Sequence, residues 1–304
     1  MIGILAKPHV RLLVFLILTV VCAVPYAAGQ DGDAPVKIES TTVLLNATIL
    51  DANGSFVSGL EREQFSVFED GVRQSISYFS AAETPFAAVI LIDSSGSMAS
   101  RMSMARSAAI NFLAGLRQND NAAIYQFASK VELVQDFSRN RDVSERLFDV
   151  KADGMTALND AIFEAARELK AREEKRKAIV VLSDGADTIS GRSADKALKA
   201  ALDAGALIYT IDMSSPDTRV RERIQNQAVL EKFAEKSGGR FVATPGGAVL
   251  RQALKDIVDE LGIQYTLGYE PLDQDNDGKW RSIELRVAKR GLTIRTKKGY
   301  ATLK

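Results

Sequence analysis

The sequence predicts an α/β protein: a doubly wound, mostly parallel sheet with helices on both faces, joined to a small antiparallel β-sandwich-like companion. Three observations predict it. Apolar runs of strand length, Phe86–Ile92, Ala178–Leu182 and, interrupted only by Thr210, Ala206–Ile211, stop abruptly at polar residues, as strands buried on both faces do. Segments with apolar residues at steps of three and four alternate with these runs, which is the βα order of a parallel sheet. At both ends of the chain the hydrophobic period falls to two, the mark of half-buried antiparallel strands.

Residues 1–29 read as a secretory signal, with Lys7 and Arg11 as the positive region and Leu12–Val24 as the apolar core. Ala27-Ala28-Gly29 offers small residues for cleavage before Gln30. A retained membrane anchor is the alternative, for which the apolar core is short. A lipid anchor on Cys22 is disfavoured by the bulky Val21 before it. Export places the chain outside the cell or in the periplasm or cell envelope, with a membrane involved only if the segment stays attached.

The next segment, 34–83, is expected to be β. Val43, Leu45, Ala47 and Ile49 recur at a period of two, with Asn46 and Thr48 between the later ones, Phe65 and Val67 lead into the hairpin signal Asp70-Gly71, and Val72, Ile76 and Tyr78 lie on the returning strand. Residues 84–262 carry the α/β alternation. Met98, Met102, Ala105, Ala109, Phe112 and Leu116 form one helical stripe, and Asn121–Phe127 a second core strand. Val131 and Leu133 alternate on an edge strand, and Leu158, Ile162, Ala165 and Leu169 line a second helix. Helices over 194–204, 219–236 and 249–261 follow, the first two stopped by glycines. A short strand, 240–243, precedes the last helix. From 263 to 304 the period is two again: Tyr265, Leu267 and Tyr269, then Ile283, Leu285 and Val287, then Leu292 and Ile294 across a Lys289-Arg-Gly291 turn. Neither β segment can bury a core by itself, so the two are expected to pair across the α/β body into one discontinuous companion.

Charge is balanced over the 304 residues, 39 basic against 39 acidic, and loss of Lys7 and Arg11 with the signal leaves a net of −2. That argues against nucleic acid as a partner. The mixed cluster Arg172-Glu-Glu-Lys-Arg-Lys177 reads as a solvated helix end. The single His, His9, and the single Cys, Cys22, both lie in the signal segment. Without them the mature chain has no disulfide, no Cys nucleophile, no Ser-His-Asp triad and no His- or Cys-built zinc site. No glycine-rich phosphate loop is present, so no small-molecule cofactor is expected. Carboxylates, hydroxyls, lysines and a hard metal remain for chemistry.

The first buried strand runs into Asp93-Ser-Ser95-Gly-Ser97, at the strand end where open α/β sheets place their ligands. A carboxylate and two hydroxyls at alternate positions are oxygen ligands suited to a hard cation. They also suit a helix N-cap, although a cap needs one such side chain rather than three. Two further stretches bear on the choice: Gly154-Met-Thr156 before a helix, and Leu182-Ser-Asp184-Gly185 after a buried strand. Together these stretches resemble the metal-ion-dependent adhesion site (MIDAS) of von Willebrand factor type A (VWA) domains. In that family Asp-x-Ser-x-Ser, a Thr from a second loop and an Asp from a third surround one Mg²⁺. The resemblance covers about residues 85–262 and implies Asp93, Ser95, Ser97, Thr156 and Asp184 as the ligand set for Mg²⁺ or Mn²⁺. The N-terminal β segment and the closing Lys298-Gly-Tyr300 also resemble bacterial secreted VWFA-related proteins.

The resemblance implies a cell-adhesion or protein-interaction module, not an enzyme, whose cation takes an Asp or Glu carboxylate from a protein partner. The alternatives are a purely structural metal in an envelope assembly protein and a Mg²⁺-dependent hydrolase. Against the hydrolase, Ser94, Asn159 and Asp187 lie near the loops but form no known catalytic pattern. Finally, Asp273, Asp275 and Asp277, with Gly278 and Glu284, have the spacing of a helical calcium loop. The flanks read as strands, and an acidic hairpin turn explains the residues equally well.

Overall fold

The computed structural model describes residues 42–81, 83–139, 141–243 and 246–302. The predicted signal, 1–29, with Lys7, His9, Arg11 and Cys22, lies outside the described residues, as does the start of the first β segment. In chain order the elements are β1 (Val43–Leu50), β2 (Phe65–Glu69), β3 (Val72–Gln74), β4 (Ile76–Ser80), β5 (Phe86–Asp93), α1 (Met102–Gly115), β6 (Asn121–Phe127) and β7 (Val131–Ser138). They continue with α2 (Arg146–Asp149), α3 (Leu158–Lys170), β8 (Arg176–Ser183), α4 (Ala194–Asp203), β9 (Ala206–Asp212), α5 (Val220–Ser237) and β10 (Phe241–Ala243). The last are α6 (Gly247–Ile263), β11 (Tyr265–Tyr269), β12 (Trp280–Val287), β13 (Thr293–Arg295) and β14 (Gly299–Ala301).

β5 lies inside a six-stranded sheet of order β10-β9-β8-β5-β6-β7, parallel except for the edge strand β7. Every residue of β5 is buried. Its side chains alternate between two cores: Phe86, Ala88, Ile90 and Ile92 meet α1, α2 and α6 on one face. Ala87, Val89 and Leu91 meet α3, α4 and α5 on the other. An uninterrupted apolar run is what a strand with helices on both faces requires.

The two β segments do pair across this body. β1 lies between β11 and β13, and β4 lies on the far side of β11. The facing sheet has the order β14-β12-β2-β3. Val43, Leu45, Ala47, Ile49, Phe65, Val67, Leu267 and Leu285 fill the space between the sheets. The rings of Phe65, Phe79 and Tyr265 cluster there, with centroids 5.1–6.0 Å apart.

Two strand expectations are corrected. Val72, Ile76 and Tyr78 do not form one returning strand. Asp70 and Gly71, both left-handed at φ 47° and 81°, turn β2 into β3, but the chain then breaks at Ser75 and β4 joins the opposite sheet. Likewise Leu292 and Ile294 do not fold back on β12. β13 crosses to the other sheet and pairs with β1, so that Thr48 stands opposite Arg295. In both places the residues on either side of the turn cover the same core from opposite sheets, which a period of two cannot distinguish from a hairpin.

The expected solvated cluster 172–177 is also corrected. Arg172 forms a 2.8 Å ion pair with Glu174, but Arg176, at the start of β8, is 0% exposed. Its guanidinium donates to Gly262 O at 2.8 Å and to Gln264 O, and more distantly to Leu261 O and Thr266 Oγ1. These acceptors form the junction where α6 ends and β11 begins, so a buried cation satisfies carbonyls left open at a helix C-terminus. Burial draws the Arg176 pKa down to about 10. Beside it Glu260, also 0% exposed, accepts from Thr48 Oγ1 (2.8 Å), Tyr209 OH (2.9 Å) and Arg295 (2.7 Å). The α/β body and its companion thus meet through a hydrogen-bonded polar layer.

Candidate metal centre

Asp93 is the last residue of β5 and is 0% exposed. One carboxylate oxygen accepts the Ser95 N–H at 2.9 Å, which turns the chain back on itself. The other accepts the Ser183 hydroxyl at 2.6 Å. Ser183 ends β8, and the parallel register that sets Leu182 beside Ile92 brings the two strand ends together. The Ser95 and Ser97 hydroxyls lie 3.1 Å apart, with Ser95 buried and Ser97 exposed. The predicted helical stripe begins later than its first member: Met98 lies in the short 3-10 turn Gly96–Met98, and α1 starts at Met102.

The second loop docks on the first through main-chain bonds, Gly96 N–H to Gly154 O at 3.1 Å and Asp153 N–H to Ser94 O at 2.8 Å. Thr156, 3% exposed, follows directly, two residues before α3. Asp184 is in the third loop, 9% exposed, with one oxygen accepting the Ala186 N–H at 3.2 Å. Gly185 is required next to it. Its φ is +83°, and a Cβ there would lie 2.5 Å from Asn226 O on α5. The five predicted residues therefore sit on three loops at one end of the sheet, joined by direct hydrogen bonds between the loops.

Burial pushes the Asp93 carboxyl up to about 6; hydrogen bonds from Ser183 and Ser95 oppose this, and the nearby Asp184 carboxylate adds to it. A carboxylate so disfavoured as an anion is relieved by a cation. Three hydroxyls and two carboxylates are all hard oxygen donors and chemically suit Mg²⁺ or Mn²⁺. Among the described residues no group of three or more His, Cys, Asp or Glu side chains gathers as a metal cage, so any cation here rests largely on hydroxyls.

That observation also covers the acidic loop after β11. Asp273 pairs with Arg281 at 3.0 Å, and Asp277 with Lys279 at 2.7 Å and Arg281 at 3.5 Å. Glu284 is on β12, paired with Arg286 at 2.7 Å. Hydrogen bonds from Lys279 hold the Asp277 carboxyl well below the usual carboxylate range. Asp275 N–H donates to Asp273 at 3.0 Å, as in an Asx turn. The charges of Asp273 and Asp277 are thus answered by side chains of the same segment.

Sequence reasoning missed Ser183, which holds Asp93, although its place before Asp184 at a strand end was a usable signal. It gave no role to Asp187 and Asn159. In the structure the Asp187 carboxylate accepts the Leu158 N–H at 3.0 Å and the Asn159 amide at 2.6 Å, and so caps α3 from another loop.

The sheet order, the helices on both faces and the three loops define a class, and residues 88–186 match the family model of the von Willebrand factor type A domain. The α/β body of this chain is similar to that domain over this stretch. A curated relative, the UPF0353 protein of Nocardia farcinica, is 26% identical over 223 residues, 64% of this chain and 64% of that protein's length. The vWF domain of the type V pili tip protein Mfa5 from Porphyromonas gingivalis superposes with a TM-score of 0.50 at 14% identity, over 60% of this chain and 98% of that one. The pilus adhesin SpaC from Lactobacillus rhamnosus GG gives 0.50 at 11% identity, over 82% of this chain and 49% of that one. At these identities the likeness is one of fold.

Proposed function

We propose that the protein is an exported, metal-ion-dependent protein-binding module. Asp93, Ser95, Ser97, Thr156 and Asp184 would hold one Mg²⁺ or Mn²⁺, and the partner would present an Asp or Glu carboxylate. The observation that carries this reading is the joining of three loops around a buried carboxylate and two hydroxyls 3.1 Å apart. A cation held mainly by neutral hydroxyls stays electrophilic and takes an anionic oxygen from outside. A carboxylate supplies both the missing ligand and the missing charge; a Lys or apolar side chain supplies neither. Export follows from the pattern of residues 1–29 and places the module in the envelope or outside the cell. The fold is one that a pilus tip protein and a pilus adhesin also use. No helix of the described residues is long and apolar enough to cross a membrane.

The test has two parts. Titration with Mn²⁺ is expected to give one site per chain, lost in Asp184→Ala while the melting temperature in chelator is kept. Capture of partners from envelope and secreted fractions is expected to fail with EDTA and with Thr156→Ala. Capture that survives both would make the metal structural and move the interaction surface elsewhere.

A further inference from the structure

Thr156 is an unusual place for a metal ligand. It follows Gly154, whose φ is +82°, and precedes a helix whose N-cap position is Ala157, with no side chain to cap the open N–H groups. The loop does not hold itself. It is held by the first loop, by Ala128 O and Ser129 Oγ, and, at Thr156 itself, by the segment after Asp184. The Thr156 N–H donates to Thr188 Oγ1 at 2.8 Å, and the Thr156 carbonyl accepts the Thr188 N–H at 2.8 Å and the Ile189 N–H at 3.1 Å. The Thr188 hydroxyl also reaches that carbonyl at 3.3 Å, so it bonds both the N–H and the C=O of Thr156.

The same segment supplies the missing cap, since Asp187 accepts the Leu158 N–H and the Asn159 amide, and the Ser190 hydroxyl donates to Asp187 at 2.6 Å. Asp160 on α3 answers by accepting the Gly191 N–H at 2.9 Å and the Arg192 N–H at 3.1 Å. None of these bonds uses the Thr156 side-chain hydroxyl. The second and third loops are one hydrogen-bonded body, with Thr156 on one strand of it and Asp184 at the root of the other.

We propose that Thr188 is a positioning residue for the metal centre: its hydroxyl and main chain clamp the Thr156 backbone, fixing Thr156 relative to Asp184 and keeping the Thr156 hydroxyl for the cation. The proposal rests on the metal reading above. A residue that orients a ligand through its hydrogen bonds typically changes metal affinity about 10–100-fold when removed. Because Thr188 acts only through Thr156, its effect disappears when Thr156 has no hydroxyl to position.

The experiment is a Mn²⁺ titration of the whole protein, read by loss of the free-ion EPR signal, well below the melting temperature of each variant. Thr188→Val, of nearly the same shape, is expected to weaken binding about 10-fold, and Thr188→Ser to restore it to within about threefold. In a Thr156→Ala background, adding Thr188→Val is expected to change affinity by less than about twofold. Thr188→Ala removes the same hydroxyl without a branched side chain and serves if the Val variant does not fold. Wild-type affinity in the hydroxyl-less variants would overturn the proposal. So would an equal loss in the Thr156→Ala background, which is the behaviour of a residue that only stabilises the fold. A wild-type chain that takes up no Mn²⁺ would instead refute the metal reading itself.

Discussion

Arg176→Met tests how the companion is fastened to the α/β body. Met keeps most of the aliphatic stem but removes the donors to Gly262 O, at 2.8 Å, and to Gln264 O. The contacts with Leu261 O and Thr266 Oγ1, at 3.4 and 3.3 Å, are long and add little. Two buried carbonyls without a donor cost about 1–3 kcal/mol each, so about 4 kcal/mol together. Relief of the buried guanidinium offsets part of this and leaves a net loss of about 2–3 kcal/mol. For a chain of this size each kcal/mol lowers the melting temperature by about 2–4 °C, so a fall of about 5–10 °C is expected. Calorimetry gives the shift, and amide exchange locates it, with new exchange concentrated at 261–266. Arg176→Lys keeps the charge but not the fork, and is expected to fall between the two. A melting temperature within about 2 °C of wild type would show that water satisfies these carbonyls, and the argument for a buried clamp would fail.

Two further outcomes follow from the site and the companion. The Asp93 pKa is raised from 3.8 to about 6, so without metal the folded chain is favoured by protonation there. This contribution is complete below about pH 4, is lost as the pH rises through about 6, and amounts to about 3 kcal/mol. In chelator at pH 7, Asp93→Asn is therefore expected to melt above wild type and to gain nothing from Mg²⁺, while wild type gains; equal melting of the two in chelator would contradict this. Deleting 264–304 removes β11 to β14 and leaves β1 with no neighbour in its sheet, uncovering Leu45 and Ile49 at about 1.5–3 kcal/mol each. Limited proteolysis is expected to cut within 42–80, and full resistance there would mean that this segment folds alone.

The sequence by itself determined the α/β body, the order of its long strands and helices, and the pairing of its two β ends, but not the four-residue α2 or the start of α1. Those features rest on local patterns. A strand buried on both faces must be apolar throughout, as β5 is, and a helix on a sheet must carry a stripe. Asp93, Ser95 and Ser97 were legible because alternate residues of one tight loop are neighbours by construction. What only the tertiary structure decided are contacts between residues far apart in sequence. Ser75 and the turn at Gly291 each carry the chain from one sheet to the other, because both sheets present the same period to the same core. Arg176 looks like its solvated neighbours in a charged run and is wholly buried, since the carbonyls that receive it lie 85–88 positions away at the end of α6. Ser183 and Thr188 likewise look like ordinary loop hydroxyls, and their partners, Asp93 and Thr156, are 90 and 32 positions distant. A hydrogen bond needs a donor and an acceptor within about 3 Å, and a single sequence carries the chemistry of each group but not the distance between them.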